Sequence, residues 1–525
     1  MQLQQMTDSA EIRTAVTNLW TELLDLPDVS APDLTGNFFM DGGDSLLATT
    51  LVAGLSAQIG VEIELGLIYR HQVFDAFTSA VLDAVTPDGR KSDATQETEL
   101  SASSETSLVC LGGQREILSR YRALPEMSSG FNMLHFIAQG SNGQQRAADL
   151  LLMLSARHDG LRLRFTEEDT GLRCVPFDGS ILPEQLFELP ESSDQEIGPA
   201  IHTRLSHVLA NPWQKPLLHL GYRQILPAQY RCVLCLHHVL SDQVGLAALR
   251  RDCLQFLASK DKEPALDTSL PAPSFIDFVQ SFNARRRQPV FDSAISYWRS
   301  LAADHQNELA TLMQRPRELS QTKGVTLPVV KIARDKVDRN ARATGLIPVL
   351  MFLQAFSTAQ NDARSGHGLA PFIGLALSVR NRVRLANCVG YFNQLIPFPS
   401  RQAVGSDATL RTAFAETMEN AWVGPFEIRE SMGFGAVDEL RFPLFQSVLN
   451  FADTTRVDPT DPTPDIAEVK HSSDDTLHKV VLHVNVDHEV YRLRLKCNPA
   501  TMPKAKMESL RTRLLFALSG LVDNV

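Results

Sequence analysis

The sequence predicts a multidomain chain: a small all-α bundle first, then an α/β unit made of two lobes. Three observations carry this. At 525 residues the chain is too long for one core, since domains average about 150 residues. Residues 1–86 hold two basic side chains, Arg13 and Arg70, against twelve acidic ones, so ten of the eleven net negative charges sit at one end. The apolar period also changes, from helical spacing up to residue 85 to a mixture of strand-like and helix-like runs beyond residue 107.

The elements follow in order. "EIRTAVTNLWTELL", "SLLATTLVAGLSAQIG" and "VFDAFTSAVLDAV" read as helices of a small four-helix bundle over residues 1–86. In the second of them Leu47, Leu51, Gly54 and Leu55 share one face. Residues 87–106 are almost without apolar side chains and read as a flexible linker. Beyond it "LHFIAQG", "LRLRF", "RCVLCLHHV", "FIGLALSV" and "VVLHVNVD" have strand character. "QRAADLLLMLSARHD", "VGLAALRRDCLQFLASK", "PVLMFLQAFSTAQ" and "KAKMESLRTRLLFALSGLV" have helix character. The basic stretch "NARRRQPVF" divides this part near residue 288, giving lobes over 107–288 and 289–525.

Composition excludes several functions. There is no basic stripe to neutralise phosphates, so no nucleic-acid partner is expected. No run approaches the roughly 18 apolar residues of a membrane span, and the N-terminus lacks a signal-peptide layout, so no membrane partner and a cytoplasmic location are expected. Seven scattered cysteines do not form a disulfide framework. Cys232, Cys235, His237 and His238 crowd together, but on a strand residues three apart point to opposite faces, so no metal site is expected there.

Two stretches point to chemistry. In "DGGDSLL" Gly42 and Gly43 permit a tight turn, and Asp44 and Ser45 stand where helix-capping residues belong. By itself this pattern reads as a helix N-cap. In "HHVLSDQVG" strand alternation sends His237 and His238 to opposite faces, one toward a cleft and one into its own lobe.

The run Asp33…Phe38-Phe39…Gly42-Gly43-Asp44-Ser45-Leu46 in its acidic bundle closely resembles a peptidyl carrier (thiolation) domain of nonribosomal peptide synthetases. That resemblance implies 4′-phosphopantetheine attached covalently to Ser45, placed there by a phosphopantetheinyl transferase, with an acyl or peptidyl thioester on its thiol. The rest of the chain is similar to a condensation domain. His237, His238 and Asp242 match its HHxxxDG signature; "GGQREIL", "RHDGLRLRF", "VGYFNQLIP", "GPFE" and "PLFQSVLNF" resemble its other motifs in the family's order.

The family fold is a V of two lobes like chloramphenicol acetyltransferase, with a tunnel between them. By this resemblance His238 is the catalytic histidine, supported by His237, and Asp242 is structural, pairing with Arg162 to hold the histidine loop. The implied function is an acyltransferase that joins the donor thioester to an acceptor amine, or to an alcohol, giving an amide or ester. The donor comes from the carrier or upstream synthetase modules, the acceptor from a second carrier or a free small molecule. An epimerisation domain that inverts the tethered residue shares the signature, and a catalytically silent recruitment module is the non-enzymatic alternative. Two positions depart from the family: Gln243 follows Asp242 where glycine is usual, and Gln394 replaces the usual asparagine of VGxFVNT.

Overall fold

The structure is a computed structural model of the 525-residue chain. It describes residues 8–24, 26, 35–43, 45–61, 63–85, 107–123, 131–139, 142–168, 171–177, 183–191, 196–210, 212–213, 215–258, 272–314, 323–361, 371–380, 385, 387–434, 444–453, 466–468, 476 and 478–521. Asp33, Asp44 and the linker 87–106 lie outside the described residues, as does the side chain of Ser45.

The N-terminal unit is helical: α1 (Ser9–Leu23), α2 (Ser45–Ile59), α3 (Gly66–Arg70) and α4 (Phe74–Val85). Asp8 caps α1 by accepting the Ala10 N–H. Leu47, Leu51 and Leu55 of α2 are buried as their spacing requires, and Gly54 lets Leu19 of α1 approach closely. Trp20 fills the centre, with the rings of Phe38 and Phe74 packed edge-on at 5.0 and 5.3 Å.

The first lobe contains β1 (Leu108–Val109), α5 (Gly112–Ala123), β2 (Phe131–Gln139), α6 (Gly143–Arg157), β3 (Leu163–Glu168), β4 (Gly171–Pro176), β5 (Leu186–Glu188), α7 (Ile197–Ala210), β6 (Leu218–Leu226), β7 (Gln229–His237), α8 (Gln243–Ala258) and α9 (Phe275–Arg285). The second runs through α10 (Pro289–Asp304), α11 (Gln306–Met313), β8 (Val325–Ala333), α12 (Arg334–Thr344), α13 (Pro348–Gln360), β9 (Phe372–Ser378), β10 (Asn393–Pro399), α14 (Ser400–Ala403), α15 (Asp407–Asn420), α16 (Pro425–Ser431), β11 (Phe445–Asp453), β12 (Ile466–Glu468), β13 (Val480–Val486), β14 (Val490–Cys497) and α17 (Lys504–Ala517).

Each lobe has its own large sheet. The first orders its strands β12-β2-β7-β6-β5, with a small β1-β4-β3 sheet beside it; the second orders them β10-β9-β11-β13-β14-β8. β12 belongs to the second lobe by sequence yet pairs antiparallel with β2, Ile466 opposite Phe136, so a segment of one lobe completes the sheet of the other. The apolar core of the first lobe likewise takes in Leu385, Cys388, Val389 and Phe392 from the loop before β10.

The helical unit rests on the second lobe. Tyr69 of α3 packs edge-on against Phe414 of α15 at 5.2 Å, and Arg70 pairs with Glu419 at 2.6 Å. Arg342 of α12 donates to the Met40 carbonyl at 3.2 Å. Burial pushes the Glu419 carboxyl up against the opposing pull of Arg70.

Candidate functional site

β7 is the central strand of the first lobe's five-stranded sheet, paired antiparallel with β2 and β6, and its last residue is His237. Alternation turns His237 inward, where it is fully buried, packs against Phe131 and accepts the Val239 N–H on Nδ1 at 3.1 Å. Burial, with smaller pushes from His238 and His219, lowers its pKa to about 3. His237 is therefore neutral near pH 7 and caps the short 3-10 turn His238–Leu240.

His238 faces the other way and is partly exposed. Its Nδ1 lies 3.2 Å from the Ser241 carbonyl and 3.2 Å from Asn132 Nδ2. Its ring stands edge-on to Tyr391 of the second lobe, with centroids 5.2 Å apart. Burial lowers its pKa below the ordinary value; the Ser241 carbonyl and Asp242 oppose this, and the Arg120 cation adds to it. A neutral imidazole with its hydrogen bonds made through Nδ1 has Nε2 for a substrate.

Asp242 immediately precedes α8, and its carboxylate is satisfied on both oxygens. Oδ1 accepts the Gly245 N–H at 2.9 Å and Arg380 Nη2 at 2.6 Å; Oδ2 accepts Arg380 Nε at 3.3 Å and the Phe392 N–H at 3.2 Å. Arg380 sends Nη1 to the carbonyls of Leu385 and Cys388 at 2.7 and 2.8 Å, sends Nη2 to Gly390 at 3.4 Å, and lies 4.0 Å over the Phe392 ring. Both side chains of this ion pair are 1% exposed.

The expected partner of Asp242 was Arg162, and this is corrected. Arg162 ends the 3-10 turn Asp159–Arg162 and leads into β3 of the small sheet, where its carbonyl accepts the Phe177 N–H at 3.0 Å. Asp242 instead looks across to the second lobe, where Arg380 stands just after β9. The sequence signal was present: in "LALSVRNRV" an arginine follows directly on an apolar strand, shortly before "VGYF".

The two departures find simple places. Gln243 is exposed on the first turn of α8. The glycine that matters is Gly245, where a Cβ would stand 2.6 Å from Ser241 Oγ. Gln394 is buried and donates through Nε2 to the Ala421 carbonyl after α15, so its longer side chain ties β10 to the end of that helix.

Residues of the other motifs make buried or partly buried contacts. Gln114 of α5 is buried, accepting the Leu111 N–H and donating to the Val239 carbonyl at 3.4 Å. Glu427 of "GPFE" joins Arg115 of "GGQREIL" at 2.9 Å and Arg286 at 2.5 Å, tying α16 to the first lobe. Asp159 of "RHDGLRLRF" accepts the Phe275 N–H at 2.8 Å at the start of α9. His158 meets Asp252 at 2.6 Å in the core.

In the helical unit Ser45 is the first residue of the 15-residue helix α2. The turn before it contains Gly42 at φ +110°, a conformation that suits glycine. A hydroxyl-bearing residue at the positive end of a helix of this length fits a phosphodiester attachment.

A family model for the condensation domain matches residues 122–525, and one for the phosphopantetheine attachment site matches residues 14–81. CymA of Salinispora arenicola, a probable nonribosomal peptide synthetase, is 27% identical over 72% of this chain, which spans 5% of that relative's length. Among solved structures, the X-domain from teicoplanin biosynthesis aligns with TM-score 0.58 at 13% identity, covering 80% of this chain and 98% of its own. The condensation domain of the monacolin K polyketide synthase MokA aligns at 0.54 and 15% identity, covering 79% and 98%. These likenesses show the fold. Among the described residues, no single helix is long and apolar enough to cross a membrane.

Proposed function

Because this chain belongs to the condensation-domain family, with a phosphopantetheine attachment domain ahead of it, we propose that it carries an acyl or peptidyl thioester on Ser45 and transfers it to an acceptor amine beside His238. We divide it accordingly at residues 86, 106 and 288. The pantetheine arm, when attached, supplies the thiol that holds the donor as a thioester. The carrier's contribution is effective concentration, set by the arm and linker instead of by free diffusion. Its resting place on α15 of the second lobe keeps it beside the domain it serves.

The observation that carries this reading is the histidine turn. His238 is neutral near pH 7 and presents Nε2, while Asp242, Arg380 and Gln114 immobilise the turn on which it stands. Aminolysis of a thioester needs an amine held in line with the carbonyl and a hydrogen-bonding group where negative charge grows. A fixed neutral imidazole meets that need without a prior proton loss. The partners this reading requires are a phosphopantetheinyl transferase, upstream synthetase modules, and an acceptor that is carrier-bound or a free amine.

The test is to modify the full chain with a phosphopantetheinyl transferase and an acyl-coenzyme A, confirm by mass that Ser45 carries the acyl arm, and add acceptor amines. Product from the parent, lost on His238→Ala by about a hundredfold or more, supports the reading. Equal turnover of His238→Ala removes the role of that residue. A correctly loaded parent that acylates no amine, free or carrier-bound, supports the silent recruitment module instead.

A further inference from the structure

We propose that the carrier face resting on the second lobe is a face that a phosphopantetheinyl transferase must also cover, so that docking there and modification of Ser45 exclude one another. The inference rests on the reading of Ser45 given above and adds the order of events: the arm is attached to the undocked carrier.

The docked face has two parts. One is α3, where Tyr69 meets Phe414 edge-on at 5.2 Å and Arg70 pairs with Glu419 at 2.6 Å. The other is the loop that leads to Ser45, where Arg342 of α12 donates to the Met40 carbonyl at 3.2 Å. Phe39 joins the two parts, its ring stacked on Tyr69 with centroids 5.2 Å apart. The apolar cores of the carrier and of the second lobe run together into one cluster.

Chain length decides what else can reach Ser45. Fully extended, the five steps from Met40 to Ser45 would span at most about 18 Å. The start of this loop is folded back: the Asn37 carbonyl accepts the N–H groups of Met40 and Asp41 at 3.0 and 2.9 Å, and the Phe38 carbonyl accepts that of Gly43 at 2.8 Å. Met40 therefore lies well inside that span. A specific protein partner covers about 800 Å² of each surface, a patch of roughly 16 Å radius. A transferase seated over Ser45 has Met40 within its patch, where α12 already lies. Two proteins cannot occupy that place together, so one must leave.

In the modification the Ser45 oxygen bonds to the pantetheine phosphorus of coenzyme A as the pyrophosphate P–O bond breaks. Adenosine 3′,5′-bisphosphate departs, and the hydroxyl proton passes to a base of the transferase. Docking leaves this chemistry as it is and removes access to it. The rate of modification then reports the undocked fraction of the carrier.

The test locks the docked state. A Cβ at Gly66 would stand 2.6 Å from Glu419 Cγ, so the Cβ positions of the two residues are at most about 4 Å apart, within reach of a disulfide. The full chain with Gly66→Cys and Glu419→Cys is bridged with oxidised glutathione; the seven native thiols are buried and stay out of the exchange. Bridged and reduced forms are incubated with a phosphopantetheinyl transferase and an S-alkyl coenzyme A, which has no thiol to open the bridge. The mass of the chain is followed, with Ser45→Ala as the blank. The bridged form should be modified about tenfold or more slowly than the reduced form. Arg342→Ala combined with Glu419→Arg leaves the carrier's own surface untouched and should be modified about two- to fivefold faster than the parent. Equal rates for bridged and reduced protein would overturn the proposal; if the bridge does not form, an Arg342→Ala, Glu419→Arg chain no faster than the parent overturns it. A chain that takes up no arm in any form, or takes it up in Ser45→Ala, removes the reading of Ser45 and the proposal with it.

Discussion

Replacing Arg380 with alanine tests the clamp between the two lobes. The guanidinium donates five hydrogen bonds: two to the Asp242 carboxylate and three to the carbonyls of Leu385, Cys388 and Gly390. Its removal leaves a carboxylate that is 1% exposed facing only the Gly245 and Phe392 amides. Breaking one side of a buried pair costs about 3–5 kcal/mol, a large share of the roughly 5–15 kcal/mol that holds a domain folded. At about 2–4 °C per kcal/mol for a unit of this size, the melting temperature should fall by roughly 6–20 °C. Arg380→Lys keeps the charge but loses the planar fork, so it should fall between the parent and the alanine variant. Arg162→Ala, at the position first expected to pair with Asp242, should stay within about 0.5 kcal/mol of the parent. Thermal unfolding of the four proteins decides it: a melting temperature for Arg380→Ala within about 2 °C of the parent, or a larger fall for Arg162→Ala, would refute the reasoning.

Other consequences can be measured in the same preparations. Glu419→Arg should loosen the carrier from α15 and the double variant with Arg70→Glu should restore it; the pair is partly exposed, so the effect is about 1 kcal/mol or less, read as the fraction of undocked carrier in solution scattering. Gly66→Ala should loosen it too, because the new Cβ would stand 1.9 Å from Glu419 Oε1. Stability should fall as pH drops below about 6.5, because the unfolded chain takes up protons that buried histidines refuse. His219 and His483 resist down to about 4 and His237 to about 3, each adding a slope of up to about 1.4 kcal/mol per pH unit in urea titrations. All seven cysteines are buried, and burial raises the thiols of Cys232 and Cys388 to about 12 and of Cys497 to about 11. The native chain should resist alkylation at pH 7.5, and the chain in urea should take up seven labels.

What could be read from the sequence was local. The apolar face of α2, the alternation along β7 that separates His237 from His238, and the helical run from Val244 that lies in α8 each depend on neighbours a few residues apart. The partners of those residues were not legible, because they are fixed by topology. Arg380 lies 138 positions from Asp242 and Asn132 lies 106 from His238. β12 shows the same limit, since three residues that join the opposite lobe's sheet carry no pattern of their own.

These long-range contacts have a shared consequence. The turn that carries His238 is touched by both lobes: Gln114 and Asn132 hold it from the first, and Arg380, the Gly390 carbonyl, the Phe392 amide and the Tyr391 ring hold it from the second. The Asp242 N–H itself donates to Gly390 across the gap at 3.2 Å. A site with one wall from each lobe has its geometry set by the angle between them, and the Arg115–Glu427–Arg286 cluster together with β12 fixes that angle at two other points. Polar groups as deeply buried as Asp242 and Arg380 add less to stability than apolar packing of the same volume would, but they are satisfied in one arrangement only. Their contribution is to define a single position for the imidazole, and orientation of that kind is what the proposed acyl transfer would require.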